Sequence, residues 1–144
     1  DNKTPYVRTA IVGPIGDVYA NGQALLTALN GITDATVDNG GKGETFSPTD
    51  LAATALGTCL VTIMGIAAKE RGWDLSGTRI RVVKEMTSVP MRRIGALTVT
   101  IAVPAGRVTT EKDRVLLQRA ADTCPVRQSL HPDVETPIQF VYPQ

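Results

Sequence analysis

Apolar and polar positions recur with different periods along the chain, and each period predicts a different element. Tyr6–Val12 is a short, largely apolar run stopped by Gly13-Pro14-Ile15-Gly16, and it reads as a strand. Asn21-Gly22 predicts a hairpin turn, because both central residues of such a turn need positive φ; its arms are Asp17–Ala20 and Gln23–Leu29. Residues 33–47 are polar and glycine-rich, as in a surface loop. The stretch Asp38-Asn39-Gly40-Gly41-Lys42-Gly43 lacks the Gly-Lys-Ser/Thr ending of a phosphate-binding loop, since Gly43 follows Lys42.

Ser47-Pro48-Thr49-Asp50 is a helix start, with a hydroxyl to cap, a proline at the first helical position and an acid at the positive end. The helix is expected to run to about Lys69, before Arg71-Gly72 supplies a left-handed cap. Leu51, Leu56, Cys59, Leu60, Val61, Ile63, Met64 and Ile66 make it apolar on nearly every side, which calls for burial all round. Gly57 and Gly65 allow another backbone to come close, so the pattern predicts a second chain over part of the helix; enclosure by the chain's own sheet is the alternative. Thr78–Glu85 and Ala96–Val103 follow as strands, the latter alternating Leu97, Val99, Ile101 and Val103 with smaller or polar residues. Thr110 and Asp113 resemble a capping box and open a helix from Glu111 to Thr123, with Val115, Leu116, Ala120 and Thr123 on one face. Cys124-Pro125 interrupts that helix, and Ile138–Tyr142 reads as a last strand.

Composition narrows the function classes. A chain of 144 residues, 42% hydrophobic and 20% charged, is expected to fold as a single domain over 1–144. A net charge of +1 gives no reason to expect nucleic acid as a partner. The chain shows neither an uninterrupted apolar stretch of the ~20 residues a membrane span needs nor a signal-peptide pattern, so a cytoplasmic protein without a membrane partner is expected. Two cysteines, one histidine and no C-x-x-C pair predict no metal site.

The cysteines are either buried apolar fillers or a redox couple. Cys59 lies about three turns into the apolar helix, beyond useful reach of the terminal dipole, so a nucleophilic role needs a cation from elsewhere in the fold. Arg92 and Arg93 in the basic turn between the two strands are the candidates, with Arg81, Arg107 and Arg127 behind them, or else they form a solvated hairpin tip. If Cys124 only ends its helix, the terminal carbonyls disfavour a thiolate; if it caps a new turn begun by Pro125, the amides favour one. Thr54, Thr58 and Thr62 form a stripe that either meets a substrate or bonds its own backbone, and His131 is a lone loop histidine.

Taken in order, Gly40-Gly41-x-Gly43, Ser47-Pro48-Thr49-Asp50-Leu51, Ala55-Leu56-Gly57-Thr58-Cys59, Lys84-Glu85-Met86, Pro90-x-Arg92-Arg93-Ile94, Cys124-Pro125-Val126 and Ser129-Leu130-His131-Pro132 resemble the OsmC/Ohr family, in an OsmC-like branch. The resemblance covers nearly the whole chain. It implies an α+β fold with antiparallel sheets wrapped around central cysteine-bearing helices in an interwoven homodimer. It also implies a thiol peroxidase of oxidative or osmotic stress defence, acting on organic hydroperoxides without a cofactor or metal. Cys59 would be the peroxidatic nucleophile and Cys124 the resolving thiol, joined as a disulfide that a dithiol, of lipoyl type in the family, reopens. The chain departs from the hydroperoxide-resistance branch. Thr49 stands where that branch has a glutamate, Asp50 lies about 100° further round the helix, and residues 12–17 bring no arginine. Arg92, Arg93, Glu85 and Asp50 are therefore the candidate activating residues. The alternative is a non-enzymatic member of the fold that binds an apolar ligand or serves as a thiol switch.

Overall fold

The computed structural model describes residues 6–8, 40, 42 and 46–143. By compactness the chain divides into residues 1–12 with 53–144, and residues 13–52. The hairpin expected around Asn21-Gly22, the end of the first strand and most of the glycine-rich loop lie outside the described residues.

The first unit contains one sheet of four strands in sequence order, β1 (Tyr6–Arg8), β2 (Arg79–Thr87), β3 (Arg93–Ala102) and β4 (Ile138–Val141). Three helices accompany them: α1 (Pro48–Arg71), α2 (Glu111–Asp122) and the single turn α3 (Pro125–Gln128). The expectation of a purely antiparallel sheet is corrected. β1–β2 and β2–β3 are antiparallel, but β4 runs parallel to β3, with Val99 opposite Ile138 and Ala102 opposite Val141. The chain between them passes through α2 and α3, and such a crossover returns a strand in the same direction where a tight hairpin reverses it.

Period-two burial defines the inner face of the sheet. Ile80, Val82 and Lys84 of β2 and Leu97, Val99 and Ile101 of β3 are buried. α1 packs here, and glycine is what lets it: a Cβ on Gly57 would lie 3.1 Å from Val82 Cγ2 and 3.5 Å from Ile80 Cγ2. β3 starts three residues before the expected Ala96 because pairing continues past a bulge. Glu85 faces Ala96 and Met86 faces Ile94, which leaves Gly95 over with Thr87 packed against it.

The helix boundaries follow local chemistry. At the start of α1, Asp50 Oδ2 accepts from the Ser47 amide at 2.9 Å and from Ser47 Oγ at 2.8 Å, while the Asp50 amide donates to Ser47 Oγ at 3.2 Å. That is a capping box closed by aspartate. At its end Gly72 takes φ +68° and Trp73 N donates to Ala68 O at 2.9 Å, a Schellman closure. By length and composition α1 could cross a membrane, with a mean hydropathy of 2.0 over 18 residues. This corrects the expectation that no segment could, for Thr54, Thr58 and Thr62 interrupt the apolar run while barely lowering its average. Ala53, Leu56, Gly57, Leu60, Met64, Ala67 and Ala68 are nevertheless buried within this chain. Within this chain the opposite side is left open: Ala55, Thr62 and Ile66 are exposed.

α2 starts as expected, with Thr110 Oγ1 accepting from the Asp113 amide at 3.1 Å. Its buried face differs from the expected one. Leu117 and Ala121 are buried, Val115, Leu116 and Ala120 only partly, and Thr123 is exposed. The buried stripe continues to Cys124, at positions i, i+4 and i+7, so its third member lies outside the helix.

Candidate functional site: a thiol pair between two helices

On α1, Gly57 marks the direction of the sheet. Cys59, two residues on, lies about 200° round the helix, on the side that carries exposed Ala55, Thr62 and Ile66. It is half-buried and packs against the main core cluster. Cys59 therefore sits on a seam, with the core on one flank and an open helix face on the other.

Cys124 reaches that seam from the core side. It follows the α2 terminus, where Thr123 is the C-cap, and is also the N-cap of α3, whose first residue is Pro125. Both of the arrangements left open by the sequence thus occur together. Its side chain is 0% exposed. Burial pushes the Cys124 thiol up; the amide of Arg127 opposes this, the neighbouring Cys59 raises it further, and the Val126 amide opposes again. The one-turn helix does not outweigh desolvation, so the neutral thiol of Cys124 is favoured, with Cys59 as a neighbour. Nothing in the spacing of the two cysteines revealed that they are neighbours.

α3, which begins at Cys124, is latched in place. Arg127 donates to Thr136 Oγ1 at 3.0 Å, to Asp122 Oδ1 at 2.7 Å and to Thr136 O at 3.3 Å, and Gln128 Nε2 donates to Asp122 O at 3.1 Å. A surface hollow of about 610 Å³ opens beside this latch, lined by Arg127, Gln128, His131 and Thr136 among others, and neither cysteine lines it.

The candidate activating residues are spread over three places. Asp50 closes the α1 capping box. Arg93 Nη1 donates to Ile94 O at 3.1 Å, and its Nη2 lies 3.6 Å from Asp133 Oδ2, so it ties the start of β3 to the loop after α3. Glu85 is exposed on β2 next to the bulge, and Arg92 is exposed at the hairpin end beside Val89 and Met91, which are 76% and 68% exposed. Thr58 and Thr62 bond backward to Thr54 O and Thr58 O, both at 2.9 Å. His131 Nδ1 accepts from the Asp133 amide at 3.2 Å on an exposed loop. Among the described residues no three His, Cys, Asp or Glu side chains converge as metal ligands.

No curated protein sequence matches the chain. A solved structure from Psychrobacter arcticus 273-4, named for a proposed osmotic stress and detoxification response, is 41% identical with a TM-score of 0.69, over 76% of this chain and 77% of that one. An organic hydroperoxide resistance protein OsmC from Legionella pneumophila gives a TM-score of 0.63 at 14% identity, over 74% and 77% of the two chains. The organic hydroperoxide resistance protein OhrB of Bacillus subtilis gives 0.54 at 20% identity, over 67% and 71%. The two latter likenesses show the fold. The model of the OsmC-like protein family matches residues 41–138, a span that carries both cysteines and most of the sheet, and the chain belongs to that family.

Proposed function

We propose that this protein is a thiol-dependent peroxidase that reduces organic hydroperoxides to alcohols. The observation that supports this best is the placing of a half-buried thiol, on a helix face left open by this chain, beside a fully buried one in the core cluster it packs against. The Cys59 thiolate attacks the distal oxygen of the hydroperoxide, the O–O bond breaks, and the alkoxide leaves as alcohol after taking a proton. Cys59 is then a sulfenic acid. Cys124 attacks its sulfur, water leaves, and a disulfide joins the two residues. A dithiol returns both to the reduced state. Ala55 and Ile66 make the open side of the seam apolar, which favours an organic peroxide over hydrogen peroxide.

The same stripe, with Ile66 54% exposed, supports a homodimer in which a second copy seats beside α1 and walls the apolar approach to Cys59 without filling it. In this reading a guanidinium of the basic turn, that of Arg92 or Arg93, steadies the Cys59 thiolate. The test is to count free thiols on the reduced protein before and seconds after one equivalent of cumene hydroperoxide, and again with hydrogen peroxide. Loss of two thiols per chain, faster with the organic peroxide and abolished in Cys59→Ser, is expected. Two unreacted thiols would overturn the reading in favour of a binding protein that keeps the fold without the chemistry.

A further inference from the structure

We infer that the hollow beside α3 binds an amphiphilic carboxylate, a carboxylate head on a short apolar body, which takes Arg127 from Asp122 and so loosens the turn that begins at Cys124. The described lining of the hollow comes from the end of α2, from α3 and from the segment between α3 and β4. No residue of α1 and neither cysteine is among that lining, so the hollow stands apart from the thiol pair and from the stripe given to a second copy. At about 610 Å³ it has room for a small organic molecule.

Arg127 supplies the anchor for the head. Of the five N–H groups of a guanidinium, Arg127 uses one on Asp122 and two on Thr136, which leaves one on each terminal nitrogen. Thr136 keeps the group in place, because its own segment is fixed to β3: Glu135 N donates to Gly95 O at 3.0 Å, and Val99 N donates to Pro137 O at 2.9 Å. Asp122 is the weaker partner. Its side chain is 64% exposed and accepts a single hydrogen bond from Arg127, whereas a free carboxylate can accept two in parallel. His131 adds a further donor, since its Nδ1 accepts from the Asp133 amide and the proton of the neutral ring is then on Nε2. Leu130, Pro132 and Val134 line the apolar part of the hollow. A bare anion would leave these side chains wet, and a neutral apolar molecule would leave the Arg127 donors unanswered; a carboxylate on a short apolar chain meets both.

The residue that would hold this ligand also holds α3. The turn is tied to the end of α2 by Arg127 on Asp122 Oδ1 and by Gln128 on Asp122 O, and to the segment before β4 by Arg127 on Thr136. Transfer of Arg127 from Asp122 to the ligand removes the first of these ties, and the exposed Asp122 carboxylate turns to water. α3 has only four residues, and a single turn is not stable by itself. Cys124, 0% exposed at its start, is then uncovered more often by local opening. Occupation of the hollow is thus felt at a residue that does not line it.

The experiment titrates the reduced full chain with sodium hexanoate at constant ionic strength, with inorganic phosphate and 1-hexanol in parallel. The chain has one histidine, so the imidazole signals in an NMR spectrum belong to His131 and report on the hollow. Hexanoate is expected to move them saturably below about 10 mM, and neither phosphate nor hexanol to do so. Alkylation of Cys124, followed by mass spectrometry, is expected to quicken about threefold or more at saturation. Asp122→Asn removes the competing charge and is expected to tighten hexanoate binding about threefold or more, which a merely structural Asp122 would not do. Absence of saturation, an equal response to phosphate or hexanol, or weaker binding in Asp122→Asn would overturn the site. Binding with unaltered alkylation of Cys124 would overturn its link to α3.

Discussion

Replacing Gly57 with alanine tests how tightly the central helix is seated on the sheet. In a helix interior the change gains about 1 kcal/mol of propensity. In this helix the new methyl would lie 3.1 Å from Val82 Cγ2, inside the ~3.5–4.0 Å at which carbon atoms attract. Val82 has little room to yield. It is β-branched and therefore stiff at χ1, 8% exposed, and fixed on both sides by pairing with Arg8 and Val99. Overpacking of this kind costs about 1–3 kcal/mol. The expected net effect is destabilisation by ~1 kcal/mol, a fall in Tm of ~3 °C for a chain of this size. Urea denaturation of the reduced protein measures it, together with Val82→Ala and the double variant. The double variant should lose less than the sum of the singles by ~1 kcal/mol, since removing the valine methyls makes room for the alanine. A Gly57→Ala protein more stable than the parent, with additive energies in the cycle, would refute the argument.

Alkylation of the native reduced protein at neutral pH should modify Cys59 first and leave Cys124 protected until the chain unfolds, as read by mass spectrometry of quenched samples. Arg127→Ala removes three hydrogen bonds from the latch over α3; a loss of ~1–3 kcal/mol is expected, together with faster alkylation of Cys124, and unchanged protection would show that α3 is held by other contacts. Because the folded state raises the Cys124 thiol above its ordinary value of 9.0, its contribution to stability is complete below pH 9.0 and declines as the pH rises through the folded-state value. The stability difference between the parent and Cys124→Ala should therefore shrink above pH 9.0, and a constant difference in denaturation series would contradict this. Arg92→Ala should slow oxidation of Cys59 by peroxide about tenfold or more, and an unaltered rate would remove Arg92 from the mechanism.

Local signals were legible wherever the physics is local. Ser47, Pro48 and Asp50 announce the start of α1 and Gly72 its end, because caps are chemistry within a few residues. The alternation of Leu97, Val99 and Ile101 announces β3. What failed depends on distant partners. The strand pattern of Ile138–Val141 carries no information on whether its neighbour runs parallel, and the bulge at Gly95 shows only once β2 is laid beside β3. The α2 face was misassigned because Val115 and Leu116 compete with Leu117 for the apolar stripe. The deciding residue, Cys124, lies past the helix, where the pattern was thought to stop. For the site, residue chemistry limited the thiols to filler or redox pair, and the family resemblance joined them. Their nearness depends on the crossover that carries Cys124 into the core cluster against which Cys59 packs.

Cys59 and Cys124 are 65 positions apart in sequence. A bond between them would close a ring of ~65 residues, which in the chain-entropy model removes ~4 kcal/mol of freedom from the unfolded state. Folding and oxidation are then two sides of one thermodynamic cycle. Whatever the bond adds to folding, folding adds to the bond's resistance to reduction, and ~4 kcal/mol corresponds to a potential ~90 mV lower than the same pair would have in the unfolded chain. Each turnover would therefore leave the protein in its most stable form, and a weak reductant would leave it there. Completing the cycle would require a strongly reducing dithiol, so the electron donor would be selected by the length of the ring as well as by the shape of the site.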